Sequence, residues 1–254
     1  MFESAKLKVQ WANSHADKLN RVFAAFLESD FYTFSNERDA ESGYYRIDVS
    51  SKNAMPMTVP LLLGDIVHNL RTALDHAATS IVGNGQDVYF PFHRNLINFI
   101  TAEGQIVCSK TKLIEEAMPE LGRFIIDEIK PYEAGNALLW RLTKLDAIDK
   151  HKFLLPTVEL TSVTAYDLYD SENENSIGRL NATVGSGDRV NIVSSFGKFE
   201  VRGKIEPSFE ILFGKDTFFE NQPVIETLFN ISNAVSETLC RVEEFVTSAK
   251  ETSG

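Results

Sequence analysis

Residues 57–82 read MTVPLLLGDIVHNLRTALDHAATSIV, and the rest of the fold follows from them. Leu63, Ile66, Val67, Leu70, Leu74, Ala77, Ala78 and Ile81 recur at a spacing of about 100° per residue, which predicts one long helix with a core-facing stripe. Gly83, Asn84 and Gly85 stop it. So much apolar helical surface needs other helices to cover it. The chain supplies them at 5–28 (Leu7, Trp11, Leu19, Val22, Phe23, Phe26), at 111–130 with an internal Pro119, at 137–151 (Leu138, Leu139, Leu142, Leu145, Ile148) and at 223–250 (Ile225, Leu228, Phe229, Ile231, Val235, Leu239, Val242, Phe245, Val246). A shorter helix is expected near 94–103, after the VYFPF segment.

Between and after these helices the period falls to two. The stretch FYTFSNERDAESGYYRIDVS has β-prone runs at 31–34 and 44–49 around a polar loop, the pattern of a hairpin. From residue 153 short alternating runs separated by turn residues predict an antiparallel sheet, with SENENS (171–176) as a loop tip. Gly185-Ser186-Gly187-Asp188 lies between two β-patterned runs with no helix after it, so it reads as a hairpin turn and not as a phosphate-binding loop. The expected architecture is α+β. A bundle of about five or six helices with an N-terminal hairpin covers 1–152, an antiparallel β insertion 153–215, and a C-terminal helix at 216–254 rejoins the bundle in one compact domain.

Composition excludes several classes. The 254 residues are 43% hydrophobic and 24% charged, as in a folded globular chain and unlike collagenous or disordered ones. A formal net charge of −11 opposes whole-molecule attraction to phosphate backbones or anionic membranes, so any nucleic-acid contact has to be local. No run reaches the roughly 18 apolar residues of a spanning helix and the N-terminus lacks a signal-peptide core, which leads us to expect a cytoplasmic protein without a membrane partner. Cys108 and Cys240 match no zinc or disulfide spacing and read as structural thiols.

The chemistry concentrates in residues 64–78, where one helix carries Asp65, His68, Asn69, Arg71, Asp75 and His76. With Asp65 at 0°, His76 falls at about 20°, Asn69 at about 40°, Thr72 at about 340° and His68 at about 300°, opposite the apolar stripe, while Arg71 and Asp75 lie beside this face at about 240° and 280°. A solvated face with an Arg71–Asp75 pair at i,i+4 would also have this pattern. Two histidines, the commonest proton carriers at neutral pH, and the lack of Lys or Glu favour a site.

Arg71-Thr-Ala-Leu-Asp-His76 resembles the R-x4–6-H pattern of the HEPN superfamily, and the segment together with Leu145-Asp-Ala-Ile-Asp-Lys-His151 resembles a widespread group of uncharacterised bacterial proteins. The resemblance implies a dimeric helical bundle acting as a metal-independent endoribonuclease of a bacterial defence or toxin–antitoxin system. Arg71 would bind the scissile phosphate, and His76 would move a proton as the ribose 2′-hydroxyl attacks. It further implies an RNA substrate, a homodimer and an antitoxin or defence partner protein, and no cofactor.

Asp65, His68, Asn69 and Asp75 are supporting candidates, as are Lys150 and His151, which would add cations to the same face from the end of the 137–151 helix. Lys150 also has a plain structural reading as the i,i+4 partner of Asp146. Two alternatives stay open. Asp65, His68, His76, Asp146 and Asp149 have the donor types of a metal-dependent hydrolase, or the whole set is a polar seam of a non-catalytic interaction protein. His15 and His93 read as surface or capping residues, and the 18 Phe as core.

Overall fold

The computed structural model describes residues 2–83, 85–172, 174–183, 189–195 and 197–252. The chain is α+β and divides into two compact units, one of residues 1–20, 58–155 and 214–254, the other of 21–57 and 156–213. The Gly185–Asp188 turn lies outside the described residues. Among those described, no helix is long and apolar enough to cross a membrane.

The first unit is helical: the start of α1 (Glu3–Glu28), α2 (Thr58–Val82), α3 (Ser109–Ala117), α4 (Leu121–Phe124), α5 (Ala137–Asp149) and α6 (Val224–Thr252). Helix α2 is the hub and packs on α3, α5 and α6. Its stripe of Leu63, Ile66, Val67, Leu70 and Leu74 is at most 1% exposed, as the periodicity predicts. At Gly64 the Asp149 side chain of α5 lies against the backbone of α2, since a Cβ there would stand 2.5 Å from both of its carboxylate oxygens. Asn136 starts α5 by accepting a hydrogen bond from Leu139 N at 3.1 Å.

Pro119 divides the predicted 111–130 helix into α3 and α4. Glu120 takes a left-handed φ of 70°, and the Glu115 carboxylate accepts the amides of Glu120 and Arg123 at 2.9 and 3.2 Å, so the end of α3 caps the start of α4. Helix α4 then runs into a π-helical turn at Ile125–Ile129. The helix expected near 94–103 is absent: a single 3-10 turn at Leu96–Asn98 is followed by a bridge between Ile100 and Ile106. Gly104, at φ +84°, closes that turn, and Phe99 anchors it with Cys108 and Ile126. Burying Phe99 fixes the segment more strongly than its weak helical period.

The second unit holds β1 (Tyr32–Arg38), β2 (Tyr45–Ser51), β3 (Thr157–Asp170), β4 (Asn175–Thr183), β5 (Arg189–Ser195), β6 (Phe199–Val201) and β7 (Ile205–Leu212). One sheet has the order β1-β2-β5, and in the other β3 pairs with β4, β6 and β7, every pairing antiparallel. The β1–β2 hairpin, expected with the helices, therefore belongs with the later strands through the β2–β5 ladder. Alternation explains this: Ile47 and Val49 of β2 are buried in clusters with Ala165 and Leu168 and with Leu160 and Val163 of β3. Asp48 lies between them at 1% exposure and accepts from Asn191 Nδ2 of β5 at 2.9 Å.

Candidate functional site

Turned away from its apolar stripe, α2 presents a polar strip that side chains of α1 and α5 reach from two directions. On the α5 side, the Asp146 carboxylate, its side chain 6% exposed, lies 3.1 Å from Nδ1 of His68, whose own side chain is 54% exposed. The second carboxylate oxygen of Asp146 holds Lys150 Nζ at 2.6 Å. The other ring nitrogen of His68, Nε2, lies 3.4 Å from Thr72 Oγ1, one turn further along α2. A buried carboxylate, an imidazole and a hydroxyl thus form a row that runs from the interior to the surface.

On the α1 side, Lys8 Nζ donates to Asn69 Oδ1 at 3.0 Å, and His15 Nδ1 lies 3.7 Å from Asp65 Oδ2. Asn69 is locked in place because its Nδ2 also donates to Asp65 O at 2.7 Å. Trp11 is 57% exposed and its ring centroid stands 4.8 Å from that of His15. Lys8, Trp11 and His15 occupy one stripe of α1 at spacing i, i+3, i+7, a signal present in the sequence but overlooked when His15 was read as a surface or capping residue.

Asp149 completes the α5 side. Burial, then repulsion from Asp146 and Asp65, raises its carboxyl above the ordinary carboxylate range, while His68 opposes the shift. A raised acid is stabilising only while protonated, so its contribution is present below the unfolded value near 3.8 and lost as pH rises through the folded value. Asp149→Asn is therefore expected to raise the melting temperature at pH 7 and to leave it unchanged below about pH 3.8. A lower melting temperature at pH 7 would show that the charged carboxylate is needed.

Arg71 and Asp75 belong to a different surface of α2. Arg71 is 8% exposed; Nη1 donates to Asp75 Oδ1 at 2.5 Å, Nη2 donates to Phe90 O at 3.3 Å, and the guanidinium carbon lies 4.6 Å from the Phe92 ring centre. Asp75 in turn accepts Phe90 N at 2.9 Å. The pair thus clasps the backbone of the segment after α2, and its charge and donors are directed at protein atoms. The i,i+4 pairing read from sequence is present.

His76 is half-buried on α2, and its imidazole makes no hydrogen bond or ion pair with the described residues. It stands two turns, about 12 Å along the axis, from His68. Lys150 makes the i,i+4 pair with Asp146 that its structural reading gave, and His151 lies exposed in the turn after α5. Among the described residues no three of His, Cys, Asp and Glu are gathered closely enough to hold a metal ion, so Asp65, His68, His76, Asp146 and Asp149 do not form a ligand set. What the strip can do is move a proton at His68 and offer cations beside it. Comparison with models of known families, with curated proteins and with solved structures returned no match.

Proposed function

We propose that the chain is a HEPN-like helical bundle with an antiparallel β insertion that acts on RNA as a metal-independent endoribonuclease, with His68 at the centre of its chemistry. The observation that carries this reading is the contact of a buried carboxylate, Asp146, with an exposed imidazole, His68, at 3.1 Å. A carboxylate accepts Nδ1–H, which leaves the lone pair on Nε2, the nitrogen beside Thr72, and stabilises the ring once it becomes cationic. A ribose 2′-hydroxyl placed at Nε2 gives up its proton there, its oxygen attacks phosphorus, the bond from phosphorus to the 5′-oxygen breaks, and that oxygen leaves with a proton from water while His68 returns its own to solvent. The products are a 2′,3′-cyclic phosphate and a 5′-hydroxyl.

Lys8, held by the neutral Asn69 amide, supplies the cation for a phosphate, whereas Lys150 is already paired with Asp146. The exposed Trp11 ring offers a stacking face for a base. Arg71 is assigned to the frame and not to the phosphate, because it is 8% exposed and both of its terminal nitrogens already donate to protein oxygens. A homodimer across the α2 polar face would double these sparse contacts, and an antitoxin or defence-system partner would bind over the same strip.

The test is incubation of the full chain, pretreated with chelator, with end-labelled RNA of mixed sequence. Cleavage that persists without divalent metal and leaves cyclic phosphate ends is expected. No cleavage by the wild-type chain, or cleavage only after metal is restored, sinks the reading.

A further inference from the structure

A second group of reactive side chains lies away from the polar strip, where the segment after α2 meets the start of α3. Cys108 Sγ is 3.3 Å from His93 Nε2, and both line a cavity of about 240 Å³ together with Tyr89, Phe92, Ser109 and Lys110. We propose that Cys108 and His93 form a nucleophilic dyad that accepts an acyl group from a small activated ester or thioester.

The surroundings fit that chemistry. Cys108 is the residue immediately before α3 and its side chain caps none of that helix's amides, so the first-turn N–H groups of Ser109 and Lys110, residues that also line the cavity, have no acceptor within the helix. Such an end stabilises the oxyanion of a tetrahedral intermediate formed at the sulfur. His93 is half-buried, and burial lowers its pKa below the ordinary imidazole value, so the resting ring is neutral at pH 7 and an imidazolium formed there passes its proton on readily. Its orientation is set by Phe99, whose ring meets it edge-on at 4.8 Å, and by the backbone bridge to Tyr132. The cavity is about eight times the share of volume of one liquid water molecule, room for a short acyl chain and little more.

In the reaction, Nε2 of His93 takes the thiol proton and the sulfur adds to the acyl carbon. The S–C bond forms as the C–O or C–S bond of the donor breaks, and the alcohol or thiol leaves with the proton from His93. Water deprotonated by His93 then attacks the thioester, the S–C bond breaks, and the free acid departs with the Cys108 thiol restored.

Cys240 is a control within the same molecule. It is the exposed cysteine, yet its thiol donates to Glu244 Oε1 at 3.3 Å, and that bond and the glutamate charge push its pKa up. Exposure alone therefore favours Cys240, and the contact with His93 favours Cys108.

The experiment treats the folded wild-type chain at pH 7 with p-nitrophenyl acetate, follows the release of p-nitrophenolate, and locates the acetyl group by peptide mass mapping. A burst of about one equivalent is expected, with the acetyl on Cys108 at least about tenfold faster than on Cys240. His93→Gln should slow Cys108 acylation by about tenfold or more, and Cys240→Ser should leave it unchanged. Acetylation of Cys240 or lysines ahead of Cys108 in the wild-type chain would overturn the proposal, as would a folded H93Q variant acylated at the wild-type rate. The within-molecule comparison decides even if the His93 variant does not fold.

Discussion

Arg71→Ala is expected to lower the free energy of unfolding by about 3 kcal/mol or more, the range for breaking a buried ion pair by removing one partner. The side chains of Arg71 and Asp75 are 10% and 29% exposed, so the orphaned Asp75 carboxylate would be left largely desolvated. The loss extends beyond the pair. Phe90 O loses its donor and Phe92 its cation, so the segment that covers this side of α2 is released. For a chain of this size such a loss corresponds to about 6–12 °C in melting temperature. Arg71→Lys should recover only part of it, because an ammonium cannot reach Asp75 and the Phe90 carbonyl at once with the planar fork of a guanidinium. Urea denaturation checks this, and a loss under about 1 kcal/mol, as for a surface pair, would show that the clasp is not structural. Assayed well below its melting temperature, folded R71A should still cleave RNA. A loss of about 100-fold in that folded variant would move Arg71 back to the phosphate.

His68→Ala is expected to reduce RNA cleavage by about 10²-fold or more, the usual contribution of a positioned general base. Its side chain is 54% exposed, so stability should change little, and the two readouts separate chemistry from folding. Asp146→Asn tests the orientation of the ring. An amide that turns its NH2 toward Nδ1 selects the opposite tautomer, which puts a hydrogen on Nε2 where a lone pair is required. Activity should fall nearly as far as in H68A while RNA binding holds. His76→Ala should cost much less, since His76 lies two turns away. Equal losses for H76A and H68A would require both histidines at one phosphodiester, and wild-type activity in H68A would remove His68 from the mechanism.

The helices were legible because their evidence is local. The stripe from Leu63 to Leu74 and the break at Pro119 are properties of neighbouring residues, and the structure shows both of them. Strands were legible as strands but not as a sheet: alternation tells which residues of β2 face inward, yet nothing in residues 45–51 names Arg189–Ser195 as their partner. The missing helix near 94–103 has the same cause, because what fixes Phe99 is Ile126, far along the chain.

The candidate site divides in the same way. The sequence by itself determined that α2 carries a polar arc opposite its core stripe, since 100° per residue fixes the angles whatever surrounds the helix. It also determined which residues can carry protons and which pair at i,i+4, as Arg71 does with Asp75 and Asp146 with Lys150. Only the tertiary structure decided that Arg71 faces the segment after α2 and not solvent, that Asp146 reaches His68 across the gap between two helices, and that His93 meets Cys108. Each of those outcomes depends on which surface covers a given angle of a helix or turn. Covering surfaces come from distant segments, held there by buried area summed over the whole unit and not by any residue near the side chain in question.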